Sequence, residues 1–160
     1  MNISFAILIA LCGVCRVYSE TLLDPRDSEE WPRCELGGTY NLPHSTYCDR
    51  FFICSNGNVY LSQCDDGLAY IPYKGCALLH TVDCSTRPDL QTPKGSGNCP
   101  RLNGLYKDYN RCGQFFRCTN GTAFLEECDP QFVFDDFQKI CRNPTEEERR
   151  QCFPETYDKK

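Results

Sequence analysis

Cys48-Asp49-Arg50-Phe51-Phe52-Ile53-Cys54-Ser55-Asn56-Gly57 and Cys112-Gly113-Gln114-Phe115-Phe116-Arg117-Cys118-Thr119-Asn120-Gly121 are two copies of one short motif. Each keeps five residues between its cysteines, a Phe-Phe pair, and a hydroxyl residue followed by Asn-Gly. A third cysteine comes ten positions later in both, Cys64 and Cys128. From 48 to 70 the register holds at an offset of 64 without a gap, setting Tyr60 on Phe124, Leu61 on Leu125 and Tyr70 on Phe134. An internal repeat decides the architecture before any single element does.

Outward from these motifs the cysteine spacing completes two modules. The first set is Cys34, Cys48, Cys54, Cys64, Cys76 and Cys84, with 13, 5, 9, 11 and 7 residues between them. The second is Cys99, Cys112, Cys118, Cys128, Cys141 and Cys152, with 12, 5, 9, 12 and 10. The middle spacings are identical and the outer ones differ as loops allow. Module 1 is placed at 31–86 and module 2 at 96–154. The Pro-, Gly-, Ser- and Thr-containing stretch 85–98 between them lacks periodicity, and 87–95 reads as a flexible linker.

The chain has 160 residues and fourteen cysteines, close to the density of a disulfide scaffold. Residues 1–19 hold an apolar run too short for a spanning helix, which needs about 20 residues. They read as a secretory signal peptide. Its removal leaves twelve cysteines bound for an oxidising compartment, where disulfides form. It also deletes Arg16, taking the formal charge from −5 to −6. An acidic surface repels phosphate backbones and anionic lipid, so nucleic acid and membrane are poor partners and a neutral ligand fits better. Residues 20–30 read as a mobile acidic lead and 155–160 as a tail.

Each module is near the size at which an apolar core alone barely folds a chain. Three disulfides per module, each adding roughly 2–4 kcal/mol, supply what is missing. Six cysteines permit 15 pairings, and spacing does not choose among them. Asn-Gly between β-prone runs predicts a two-residue type I′ hairpin. In that register Cys54 faces Val59, Ile53 faces Tyr60, Phe52 faces Leu61 and Phe51 faces Ser62. Alternation then puts Cys54, Val59, Phe52 and Leu61 on an inner face, and Ile53, Tyr60, Phe51 and Ser62 on a wetter one. The second copy repeats this, with Phe115, Arg117, Phe124 and Glu126 outward. Thr145-Glu146-Glu147-Glu148 has capping-box spacing and predicts a turn or two of helix before Cys152.

Both modules resemble the peritrophin-A, or type-2 chitin-binding, domain of invertebrate extracellular proteins. The residues that carry the resemblance are the six-cysteine spacing, the paired phenylalanines, the hydroxyl-Asn-Gly turn, and the aromatic six residues after the fourth cysteine (Tyr70, Phe134). Cys99-Pro100-Arg101-Leu102-Asn103-Gly104 and Arg149-Arg150-Gln151-Cys152 further resemble the obstructor-type cuticular group, whose members usually have three modules. The resemblance implies a small, disulfide-rich, mainly β fold. Each module would be a three-stranded antiparallel sheet plus a two-stranded hairpin. It implies the pairings Cys34–Cys54, Cys48–Cys84, Cys64–Cys76, Cys99–Cys118, Cys112–Cys152 and Cys128–Cys141. It also implies a secreted, non-catalytic protein of cuticle or peritrophic matrix whose partner is chitin, the N-acetylglucosamine polymer. One departure stands out: the family often carries Asp-Trp-Pro after the fifth cysteine, whereas Cys76 is followed by Ala77-Leu78-Leu79 and Cys141 by Arg142-Asn143-Pro144.

Chitin offers pyranose faces and a row of acetamides, so a binder needs flat rings to stack and a few polar groups to orient. The candidate sugar-contacting rings are Phe51, Tyr60, Tyr70, Tyr73, Phe115, Phe124 and Phe134, with Asn56 and Asp135 as polar partners. The competing reading of each ring is core packing, and it is preferred for Phe52 and Phe116. Two modules on one polymer suggest avidity or fibril bridging by a monomer, across the 14-residue stretch 85–98, which spans roughly 20 Å as random coil. Asn120-Gly121-Thr122 is an N-glycosylation acceptor at the hairpin tip. Catalysis is disfavoured: the two histidines, His44 and His80, lie in module 1, and the acid pairs Asp65-Asp66 and Asp135-Asp136 occupy different places in the repeats. A glycosidase also needs a cleft holding two carboxylates apart. No cofactor is implied, and the exported context argues against a cysteine-bound metal. The remaining rival is a disulfide-rich protease inhibitor, or a structural spacer without sugar binding.

Overall fold

The computed structural model describes residues 31–154. The signal peptide, acidic lead and tail read from the sequence (1–19, 20–30 and 155–160) lie outside the described residues. Module 1 contains β1 (Thr39–Pro43), β2 (Arg50–Ser55), β3 (Asn58–Gln63), β4 (Leu68–Ile71) and β5 (Gly75–Leu78), followed by a 3-10 turn at Leu79–Thr81. Module 2 contains β6 (Gly104–Lys107), β7 (Gln114–Thr119), β8 (Thr122–Glu127), β9 (Val133–Asp135), β10 (Ile140–Arg142) and α1 (Glu146–Cys152). In each, a three-stranded sheet (β1-β2-β3 or β6-β7-β8) is joined by a two-stranded hairpin (β4-β5 or β9-β10). All pairings are antiparallel.

The hairpin register is the one the Asn-Gly turns require. Cys54 pairs with Val59, Ile53 with Tyr60, Phe52 with Leu61 and Phe51 with Ser62. Module 2 repeats it as Cys118 with Ala123, Arg117 with Phe124, Phe116 with Leu125 and Phe115 with Glu126. Both turn residues take positive φ: Asn56 48° and Gly57 83°, Asn120 48° and Gly121 78°. A β-branched residue at either position would resist that conformation.

The six disulfides form as the resemblance implied: Cys34–Cys54, Cys48–Cys84, Cys64–Cys76, Cys99–Cys118, Cys112–Cys152 and Cys128–Cys141. Buried half-cystines make up much of a thin core, filled out by Phe52, Ala69 and Tyr70 in module 1 and by Val133 and Phe134 in module 2. Helix α1 carries the full capping box. The Thr145 hydroxyl accepts from Glu148 N–H, and the Glu148 carboxylate accepts from Thr145 N–H. Arg142 of β10 donates to both Glu148 and Asp135, tying the helix to the small hairpin. These bonds hold the Glu148 carboxyl down to about 2.

The segment 87–95 is not the flexible coil its composition suggested. Asp89 exchanges backbone bonds with Thr46 and Cys48. Gln91 is buried, donating from its N–H to Asp49 Oδ2 (2.7 Å) and from its side chain to Cys64 O (2.8 Å). Asp66, also buried, accepts from Lys94 N–H (2.8 Å), Leu102 N–H (3.1 Å) and Arg101 Nη1 (2.7 Å). Its backbone carbonyl accepts from both the N–H and the side-chain amide of Asn103. The Asn103 side chain then accepts from Asn120 N–H, reaching the second hairpin turn. Gly67 marks how close the modules come, because a Cβ there would sit 1.9 Å from Asn103 O. Two buried carboxylates therefore hold the connector against module 1 and the start of module 2 against both.

Candidate functional site

The aromatic candidates separate into supports and exposed rings. Tyr70 and Phe134 are each 2% exposed, which corrects the expectation that they face a ligand. Tyr70 stacks beneath Phe51, with centroids 4.5 Å apart at 16°, and Phe134 beneath Phe115, 4.4 Å apart at 14°. The hairpins β4-β5 and β9-β10 thus press one ring each against the outward face of the larger sheet. Phe51 and Phe115 are half-buried on these supports. The preference for Phe52 as core holds: it is 3% exposed and stacks on buried His44, with centroids 5.6 Å apart. Phe116 is half-buried.

Tyr60 (56% exposed) and Phe124 (46%) occupy equivalent places on β3 and β8. They differ in what lies beside them. Tyr60 pairs across the strand with Ile53, whereas the Arg117 guanidinium sits 5.2 Å from the Phe124 ring centroid and is held by Glu126. The Tyr60 ring has an apolar neighbour; the Phe124 ring has a cation over it.

Tyr73 is 99% exposed at the tip of the small hairpin in module 1. Its φ of 66° is in the left-handed region, where a bulky residue is uncommon. The sequence reading missed its counterpart. Phe137, at the same offset of 64, is 95% exposed at the tip of β9-β10. Extending the repeat register past residue 70 would have found it.

The polar candidates are engaged locally. Asp135 accepts from Phe137 and Gln138 N–H through Oδ1 and from Arg142 through Oδ2. The Arg142 bond and these backbone donors hold its carboxyl below the usual range. Its role is to shape the turn that carries Phe137. Asn56 is exposed, with its N–H donated to Gly38 O. Asp136 accepts from Lys107 N–H and from Lys139 Nζ. Of the acid pairs considered for catalysis, Asp66 is therefore built into the junction, and Asp135 and Asp136 into the hairpin.

Two disulfide-stapled β modules therefore each carry a stacked aromatic pair and two further exposed rings. The chain belongs to the Chitin binding Peritrophin-A domain family, whose model matches residues 34–84 and again 99–152. It is 29% identical over 103 residues to Protein obstructor-E of Drosophila melanogaster, covering 61% of this chain and 41% of that protein. It is 27% identical over 139 residues to Peritrophin-1 of Anopheles gambiae, covering 81% of this chain and 86% of that one. Among the described residues no helix is long and apolar enough to cross a membrane.

Proposed function

We propose that this chain is a secreted, non-catalytic chitin-binding protein of cuticle or peritrophic matrix. It engages N-acetylglucosamine polymer by stacking on exposed aromatic rings. The observation that carries the reading is the repetition of those rings: Tyr60 with Phe124, and Tyr73 with Phe137, stand in solvent at matching positions of both modules. Exposed rings at matched positions of two copies suit a ligand that is itself periodic. Phe51 and Phe115, backed by Tyr70 and Phe134, add firm flat surface beside them.

The junction changes the form avidity takes. A second binding event gains from tethering only when the geometry permits both to occur at once. With the connector pinned by Asp49 and Asp66, the two faces engage one polymer as a fixed pair rather than through a searching coil. Module 1 is the tighter partner in this reading, because its Tyr60 ring carries no cation. The test is retention of the intact chain on chitin beads against cellulose beads, repeated after disulfide reduction. Selective retention on chitin that reduction abolishes is expected. Equal retention on both resins, or none, overturns the proposal.

A further inference from the structure

Antiparallel strands alternate residues whose peptide groups face the partner strand with residues whose groups face away. His44 N–H donates to Arg50 O, and Asp108 N–H donates to Gln114 O. With the registers of β1-β2 and β6-β7, these bonds fix the alternation. Leu42 and Tyr106 face the neighbouring strand, while Asn41, Pro43, Leu105 and Lys107 turn their peptide groups out along a free sheet edge.

One outward donor on each edge is closed. Pro43 has no N–H, and the N–H of Lys107 is taken by Asp136 at 3.1 Å. Proline and capped edges are the usual means of preventing strand-to-strand association. The neighbouring outward position stays open in both modules. Among the described residues, no hydrogen bond takes up the outward N–H or C=O of Asn41 or of Leu105.

Each open position lies in a groove. In module 1 it is a groove of about 250 Å³ between β1 and the small hairpin, lined by Tyr40, Asn41, Leu42, Tyr70, Tyr73 and Gly75. None of these side chains is charged at neutral pH. In module 2, Leu105 lines a groove of about 310 Å³ with Tyr106, Pro93 and Pro100, closed on one side by Leu79 and His80 of module 1. The cations on its wall are compensated: Arg101 pairs with Asp66 and Lys139 with Asp136, each at 2.7 Å. Predominantly apolar pockets with a few placed polar groups, often at domain boundaries, are the usual form of small-ligand sites.

We propose that these edge grooves are acetamide-reading subsites, in which the outward N–H of Asn41 and of Leu105 donates to the acetyl carbonyl of an N-acetylhexosamine. The adjoining outward C=O accepts from a hydroxyl of the same sugar, and the acetyl methyl lies against the apolar lining. An unpaired peptide donor beside apolar side chains suits an amide carbonyl with an attached methyl; a bare hydroxyl leaves the apolar wall unused. Neutral lining in one groove and paired charges in the other favour an uncharged acetylated sugar over its cationic deacetylated form. This inference rests on the chitin-binding reading and adds to it a means of recognising acetylation apart from ring stacking.

The test titrates the ¹⁵N-labelled full secreted chain with the β-1,4 tetramers of N-acetylglucosamine, glucosamine and glucose. Backbone amides of Asn41 and Leu105 and the ring signals of Tyr60 and Phe124 are followed together. Saturable shifts at both amides with the acetylated tetramer alone are expected. The Leu105→Pro and Asn41→Pro variants remove each N–H at an edge position of the kind Pro43 already occupies. Each should weaken binding of the acetylated tetramer at its own groove roughly two- to tenfold, the range of one net hydrogen bond, and leave binding of the others unchanged. If a proline variant does not fold, the amide shifts of the natural chain still decide. Shifts at the rings with both amides unmoved overturn this inference and leave the chitin reading standing. No shift anywhere overturns both.

Discussion

Replacing Asp66 by Asn tests whether the connector is held by charge. The carboxylate serves three donors, Lys94 N–H and Leu102 N–H at Oδ2 and Arg101 at Oδ1. An amide of the same shape has one acceptor. With its oxygen toward Lys94 and Leu102, its NH2 group meets the Arg101 guanidinium; reversed, both backbone donors lose their partner. Removing one member of a buried ion pair costs about 3–5 kcal/mol. Arg101 keeps its bond to Gln91 O and its side chain is 17% exposed, so about 3 kcal/mol is the expected cost. If local opening governs exchange, Lys94 and Leu102 amides should exchange with solvent roughly a hundredfold faster, at about 1.4 kcal/mol per tenfold. The comparator is Asp49→Asn, which needs only one acceptor for Gln91 N–H and should cost about 1 kcal/mol. Exchange at Lys94 and Leu102 within twofold of the natural chain in Asp66→Asn would refute the reasoning.

Other outcomes follow from the same geometry. Tyr60→Ala should weaken chitin-oligomer binding more than Phe124→Ala, because Arg117 already covers the Phe124 ring; calorimetric titration of the two variants gives the order. Burial alone pushes the Asp66 carboxyl up, but the bonds from Lys94, Arg101 and Leu102 outweigh it and hold it below the ordinary value of 3.8. A lowered folded value means a stabilisation fully present above the ordinary range and lost as pH falls through the lowered one. Junction amides should therefore lose exchange protection only below about pH 4. Helix α1 should lose its cap as pH falls from 4.5 toward 2, by far-ultraviolet circular dichroism, because Arg142 and Thr145 hold Glu148 at about 2. Secretion from a eukaryotic host should add an N-glycan at exposed Asn120, visible as a mass loss on enzymatic deglycosylation that Thr122→Ala abolishes.

Repetition made the fold legible. Cysteine spacing and Asn-Gly turns specify the hairpin register, because the type I′ turn and the two-residue alternation leave one arrangement of β2 on β3. The disulfide pairing came through the family resemblance; the spacings alone allow all fifteen. Alternation located Tyr60 and Phe124 but said nothing of what lies above a strand face. Tyr70 and Phe134 were candidates by their place six residues after the fourth cysteine, which does not register that the small hairpins carry them inward. The connector was misread because local composition does not register a buried acid 28 residues away reaching Lys94. A trace of it is present where the repeats disagree: Asp49 and Asp66 stand where module 2 has Gly113 and Pro130. Carboxylates present in one copy and not the other mark a device of the junction.

The most direct test of the account is calorimetric titration of N-acetylglucosamine hexamer into the natural chain and into the Tyr60→Ala, Tyr73→Ala, Phe124→Ala, Phe137→Ala combination. All four side chains are exposed and none belongs to the buried core, so the disulfide-stapled fold should survive their loss. The natural chain should bind saturably and a folded variant not at all. Equal binding by both would contradict the account.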